Sequence, residues 1–187
     1  TGGIGYPISV WQHDARIFLT DETDEKRGED QGMGIQVQLG PKYLVEHIDE
    51  LNEAVSELLS QVGVEGEWHT NITRLDLAVD VFNHNLSGMS LDNWLSNWIG
   101  WSKISKVFFS SQTSEIETNN VGSRKSSIFL RIYDKAAQAI SEGDLVYWQD
   151  VWGEPTLENV TRVEWEIKPK RGNFPEELTD FFKFTEV

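Results

Sequence analysis

The sequence predicts an α+β fold: a mostly antiparallel central sheet with helices on one face. Three observations carry this. Several segments alternate apolar and polar residues with period two, as half-buried strands do. One long segment repeats its apolar residues at helical spacing. The elements run strand, helix, strand, helix, strand, strand, helix, strand, helix, and strand neighbours joined by short turns favour antiparallel pairing.

In chain order, residues 7–11 and 16–19 read as short strands, followed by an acidic, mobile loop over 21–30. Ile35, Val37 and Leu39 alternate with Gln36 and Gln38, which predicts a strand. Pro41 fits a first helical turn. From there Leu44, Ile48, Leu51, Val55, Leu58, Leu59 and Val62 form one apolar stripe that Gly63 ends. Glu46, Asp49, Glu50, Glu53 and Glu57 form its solvated face. Next come a strand over 72–82, a Trp-rich helix over 91–99, strands over 106–112 and 127–134, and a short helix over 136–141. An acidic aromatic connection, a strand over 160–168 and a helix after Pro175 complete the chain. Thr73-Arg74-Leu75-Asp76 and Thr161-Arg162-Val163-Glu164 open two similar eight-residue runs, which suggests a duplicated strand-helix-strand half.

A chain of 187 residues suits one domain, or two small halves sharing a core. It has no cysteine, which excludes a disulfide scaffold, a Cys-ligated zinc and a thiol nucleophile. No run of about 18 apolar residues exists to span a membrane. The chain begins at Thr1, as expected of a fragment, and the N-x-S/T triplets at Asn71, Asn85 and Asn159 read as chance. Taken alone, the net charge of −15 argues against a nucleic-acid binder, which normally shows a basic face. The distribution is uneven: residues 101–135 hold six basic and three acidic side chains, whereas 41–67 hold one and seven. A basic strip on an acidic body is the expectation.

Strand alternation sorts side chains by face. Leu75, Leu77, Val79 and Val81 oppose Arg74, Asp76, Ala78 and Asp80. Val163, Trp165 and Ile167 oppose Arg162, Glu164, Glu166 and Lys168, and Leu130 and Ile132 oppose Phe129, Arg131, Tyr133 and Lys135. If these strands are neighbours, one face gathers four carboxylates, three arginines, two lysines and a tyrosine. Cross-strand ion pairs, each worth about 0.2–1 kcal/mol, are one account of such a face. Carboxylates on adjacent strands bridged by a hard divalent cation are the other. Arg131 and Lys135, two residues either side of Tyr133, suit a phenolate stabilised beside a bound phosphate, which a tyrosine nucleophile attacking a phosphodiester requires. The small and basic turn Gly122-Ser123-Arg124-Lys125-Ser126-Ser127 supplies N–H groups, hydroxyls and cations for phosphate contacts, and reads equally as a hairpin turn.

The run over 121–135, with Gly122-Ser123-Arg124 and Arg131-Ile132-Tyr133-Asp134-Lys135, resembles the catalytic segment of rolling-circle replication initiators of Gram-positive plasmids, the Rep_trans family. Related sequences include relaxases of integrative conjugative elements and some filamentous-phage initiators. The family also carries an Arg-x-Asp strand before this segment and an Arg-x-Glu strand after it. Arg74-Leu75-Asp76 and Arg162-Val163-Glu164-Trp165-Glu166 match these, so the resemblance covers 72–168. The His-hydrophobe-His metal pair of the wider nicking-enzyme class is absent, since His13, His47, His69 and His84 are scattered. Carboxylate ligation remains. Family members are usually longer.

The resemblance implies one nicking and joining domain over 1–187, a piece of a longer initiator with a fold related to the HUH-like nicking enzymes. Tyr133 is then the nucleophile on single-stranded or hairpin origin DNA, giving a 5′-phosphotyrosine and a free 3′-OH. Asp76, Glu164, Glu166 and Asp80 are the candidate ligands of a Mg²⁺ or Mn²⁺ ion. Arg131 and Lys135 act beside Tyr133. Ser123, Arg124, Lys125, Ser126, Arg74, Arg162 and Lys168 are the candidate DNA contacts, and Lys168 is a candidate to protonate the leaving oxygen. A host helicase, a second copy of the chain in a homodimer, and a cytoplasmic setting in a bacterial host go with this reading; a membrane does not. The rivals are a relaxase, a metal-dependent nuclease with Tyr133 structural, and a non-catalytic sheet that stacks nucleic-acid bases on Trp or Phe.

Overall fold

The structure, a computed structural model, describes residues 8–19, 34–64, 72–86, 102–111 and 115–169, with Tyr6, Asp92 and Phe174. The acidic loop over 21–30, nearly all of the helix expected over 91–99 and the helix expected after Pro175 lie outside them. The chain divides into two compact units, Thr1–Thr70 with Phe182–Val187, and Asn71–Phe181.

In the first unit, β1 (Ile8–Gln12), β2 (Ala15–Leu19) and β3 (Gln36–Leu39) form an antiparallel sheet in that order. The side chain of Asp14 accepts from the Lys42 N–H at 2.9 Å and its carbonyl accepts from the Gly40 N–H at 2.7 Å. These contacts fix the start of α1 (Pro41–His47). A side chain at Gly40 would collide with the Asp14 carboxylate. The single helix expected from Pro41 to Gly63 is instead α1, a 3₁₀ turn (Ile48–Glu50) and α2 (Leu51–Ser60). The reason is Tyr43, whose hydroxyl donates to the Ala54 carbonyl at 2.9 Å. In a straight helix those residues stand about 16 Å apart, beyond the reach of a tyrosine. The break leaves Ile48 exposed, while Tyr43, Val55, Leu58 and Leu59 pack with Ala15 and Ile17. Gly63, at φ +76°, ends α2: its N–H and that of Val64 bond back to Ser60 and Leu59.

The second unit is built on five strands: β4 (Leu75–Phe82), β5 (Ser105–Phe109), β6 (Ile116–Val121), β7 (Ile128–Asp134) and β8 (Val160–Ile167). Their order is β4-β8-β7-β6-β5, and every neighbouring pair is antiparallel. β6 was not expected from the sequence. Its Asn119 and Asn120 read as loop residues, yet Asn119 is fully buried and accepts from the Ser105 hydroxyl at 2.9 Å. β7 runs straight into α3 (Lys135–Glu142), because the Asp134 side chain caps it by accepting from the Ala137 N–H at 2.8 Å. The expected aromatic connection is a helix, α4 (Leu145–Trp152), entered through Gly143 at φ +76°.

The register confirms the sorting of side chains by face. Leu130, Ile132 and Val121 form an apolar cluster with Leu86 and Ile116, flanked by Val107, Val163 and Trp165. The other face bears the polar set, and α3 and α4 pack over its apolar end, where Ala136, Leu157, Val160 and Trp152 meet. The two Thr-Arg runs lie side by side, with Asp76 opposite Glu166 and Asp80 opposite Arg162.

Candidate functional site

Three rows of directly opposed residues cross the polar face. One reads Phe108, Thr118, Tyr133, Arg162, Asp80; the next reads Lys106, Asn120, Arg131, Glu164, Ala78; the third contains Phe129, Glu166 and Asp76. Opposed side chains on one face stand about 5 Å apart, so each row is a contact path.

At the centre, the Tyr133 hydroxyl donates to Glu164 Oε2 at 3.1 Å. The other oxygen of Glu164 accepts from Arg131 Nη2 at 2.5 Å, and the Arg131 guanidinium lies 4.8 Å from the centre of the Tyr133 ring. Tyr133 is only 7% exposed. Burial, and then the Glu164 charge, push its hydroxyl up to about 12, against the pull of Arg162 and Arg131. The phenolate expected from the sequence is therefore not the resting form. The cations flank the ring, but the hydroxyl itself meets an acid.

Lys135 also departs from expectation. The strand ends at Asp134, so Lys135 opens α3 and turns inward, 3% exposed. Its amine donates to Gln138 Oε1 at 3.0 Å and lies 4.2 Å from the centre of the Trp148 ring. Burial, then the nearby Arg162, pull it down to about 8.

Arg162, expected to contact DNA, is buried and bidentate to Asp80, at 2.6 and 2.7 Å. Trp152 Nε1 donates to the same carboxylate at 2.9 Å, and Trp148 covers the guanidinium at 4.6 Å. Burial alone raises the Asp80 carboxyl, but the bonds from Arg162 and Trp152 outweigh it and hold the carboxyl below its ordinary value. Asp80 is thus saturated by cationic and N–H donors, and Arg162 is a buried strut behind Tyr133.

The remaining carboxylates are bridged by guanidinium groups. Arg74 Nε donates to Asp76 Oδ1 at 2.7 Å, and Arg74 Nη2 stands 3.0 Å from Glu166 Oε2. Lys168 bonds Glu166 as well, and Arg124 approaches it at 3.8 Å. Among the described residues, no three His, Asp or Glu side chains gather closely enough to hold a metal ion. The four proposed ligands share one face but do not fit a single ion as they are paired. Arg74 bridges Asp76 and Glu166, and Arg131 and Arg162 neutralise Glu164 and Asp80, where the sequence suggested a divalent cation.

The turn after β6 is a hairpin with Gly122 at φ +94°, where the Ile128 carbonyl leaves little room for a side chain. The Ser126 N–H bonds the Ser123 carbonyl at 2.8 Å, and the Lys125 N–H approaches the Ser123 hydroxyl at 3.3 Å. Arg124 folds back over the Phe129 ring at 5.1 Å, while Lys168 donates to the Arg124 carbonyl at 2.9 Å. Arg124, Lys125 and Ser126 are exposed. Beside Tyr133 opens a cavity of about 790 Å³ whose lining includes Arg124, Arg131, Thr118, Asn120 and Phe108. The last three were missed in the sequence; only the unrecognised strand β6 carries Thr118 and Asn120 to the site and aligns Phe108 with Tyr133.

Among the described residues no helix is long and apolar enough to cross a membrane. No family model matches the chain, and no curated protein matches it. A solved structure does: a rolling circle replication initiator protein from Geobacillus stearothermophilus, at 21% identity and a TM-score of 0.53, over 91% of this chain and 58% of that one. The chain thus shares the α+β fold of that initiator and spans 58% of its length.

Proposed function

We propose that the chain is the nicking and joining part of a rolling-circle replication initiator, acting on single-stranded or extruded origin DNA in the bacterial cytoplasm. The observation that carries this reading is the Tyr133 hydroxyl hydrogen-bonded to Glu164, beside an arginine-lined cavity on a sheet whose fold resembles an initiator's. Tyr133 Oη forms a bond to the scissile phosphorus as the bond from phosphorus to the 3′-oxygen breaks. The hydroxyl proton passes to Glu164, the departing 3′-oxygen takes one from solvent, and a 5′-phosphotyrosine and a free 3′-OH result. The phosphotyrosine keeps the bond energy, so a second attack by a DNA 3′-OH rejoins the strand and returns the proton. Arg131 and Arg124 face the phosphate from the cavity wall, and exposed Lys125 with half-buried Lys168 extends the basic track. Arg162 and Asp80 hold the sheet behind Tyr133.

The test is incubation with single-stranded DNA, with and without Mg²⁺ or Mn²⁺, followed by denaturing electrophoresis. The intact protein should give a covalent band that Tyr133→Phe abolishes. A band surviving in Tyr133→Phe would refute the assignment of the nucleophile. Cleavage without any covalent band would favour a nuclease.

A further inference from the structure

Resting on that reading, we infer that the cavity beside Tyr133 is a base-reading subsite, in which Phe108 stacks and Asn120 hydrogen-bonds a nucleobase adjoining the scissile phosphate. Phe108 is a large aromatic left 51% exposed on the polar face, in the same row as Tyr133 with only Thr118 between them. Two strand spacings separate them, about 10 Å, the same order as the reach from a phosphate to the far edge of its own base. An exposed ring at that distance offers a stacking platform that accepts any base.

Asn120 supplies discrimination. It lines the cavity next to Arg131, and its Oδ1 is buried without a hydrogen-bond partner. A buried acceptor left unsatisfied is costly, and a donor brought by a ligand removes that cost. The exocyclic amine of a base is such a donor, whereas a phosphate oxygen is not. Charge divides the cavity in the same sense. Arg131 lies beside Tyr133 on β7, its guanidinium 4.8 Å from the ring centre, where the backbone phosphate belongs, and Arg124, over Phe129, continues the cationic lining toward the hairpin. Glu115 and Glu117 line the end nearer Phe108; carboxylates there repel a phosphate and tolerate an amine. The base therefore lies toward β5 and β6 and its phosphate toward β7.

The experiment uses the full chain carrying Tyr133→Phe, so that binding is read without chemistry. The probe is a twelve-residue oligothymidylate with one 2-aminopurine, placed at each internal position in turn. Quenching of its fluorescence reports stacking. Unlabelled competitors carry adenine or unsubstituted purine at the most quenched position. In the parent protein the probe should be quenched, and adenine should compete better than purine. Adding Phe108→Ala should abolish the quenching and weaken binding about tenfold. Adding Asn120→Leu, or Asn120→Ala should the larger side chain disturb the sheet, should keep the quenching but equalise the two competitors. No quenching in the parent at any position, quenching unchanged by Phe108→Ala, or unequal competition surviving both Asn120 variants would each overturn the inference. The covalent-band assay keeps the two readings apart. A Tyr133 adduct whose base preference ignores both residues refutes the subsite alone. Quenching as expected with no adduct from the intact protein refutes the nicking reading alone.

Discussion

Glu164→Gln separates two jobs that one carboxylate does for Tyr133. The charge of Glu164 raises the Tyr133 hydroxyl, while its Oε2, 3.1 Å away, is the only proton acceptor that the described contacts give that hydroxyl. A phenol at about 12 rather than 10.0 is ionised about a hundredfold less often near neutrality, a handicap of about 2.7 kcal/mol. If ionisation before attack set the rate, removing the charge would relieve part of that handicap and speed nicking. If Glu164 takes the proton during attack, its removal slows nicking by about 10²–10⁴-fold, the usual contribution of a positioned base. The second outcome is expected. Two measurements on each protein decide it. One is the near-ultraviolet absorbance titration of Tyr133, isolated by subtracting the Tyr133→Phe curve from that of its parent, since Tyr6 and Tyr43 are raised as well. The other is the single-turnover nicking rate. Glu164→Gln should make Tyr133 titrate at lower pH and yet nick more slowly. A rate that rises together with the acidity would refute Glu164 as the base. A parent Tyr133 titrating below 10 would refute the burial argument itself.

Three further outcomes are expected. Lys135 has a folded-state value of about 8 against 10.5 for the free side chain, so between these pH values the unfolded chain holds more protons and stability rises with pH; Lys135→Met should remove that rise, worth about 3 kcal/mol, in urea melts across the interval, and parallel curves would refute it. Asp80→Ala leaves buried Arg162 without its carboxylate and should cost about 3–5 kcal/mol in the same melts; a loss under about 1 kcal/mol would show that the pair is not the strut described. Arg124→Ala with Lys125→Ala should weaken single-stranded DNA binding and reduce the slope of log affinity against log salt by about 0.7 for each lost phosphate contact; an unchanged slope in anisotropy titrations would mean that the DNA runs elsewhere.

The strands that carry the site were legible because alternation is a local signal. β4, β7 and β8 each alternate over seven or eight residues, and the parity of Asp76, Tyr133 and Glu164 follows from that alone. What failed was non-local. β6 is held by pairing with β5 and β7, and the Oδ1 of buried Asn119 accepts from Ser105, a residue of a different strand; no propensity at Asn119 or Asn120 announces it. The helix break at His47 depends on Tyr43 finding Ala54. α4 hid behind its acidic and aromatic composition, although Trp148 and Trp152 have helical spacing. At the site, the sequence assembled the right charges on one face but not their pairing. Three arginines neutralise the carboxylates, Arg74 joining two of them, and Lys135 leaves the face where the strand becomes a helix.

The antiparallel pairing of the two Thr-Arg runs has a geometric consequence. Asp80 lies opposite Arg162, and the register, continued one residue past the Leu75–Ile167 pair, sets Arg74 opposite Lys168, so β4 and β8 are related by a local two-fold axis with an arginine at each corner. In the repeat alignment Asp80 and Lys168 are equivalent positions bearing opposite charge. At one corner the acid neutralises the arginine, and tryptophans seal the pair. At the other, Lys168 and Arg124 join Arg74 around Glu166 at the solvent edge. A single charge reversal between symmetry-related positions thus goes with one corner closed as a buried ion pair and its twin left as three cations gathered on Glu166 at the solvent edge.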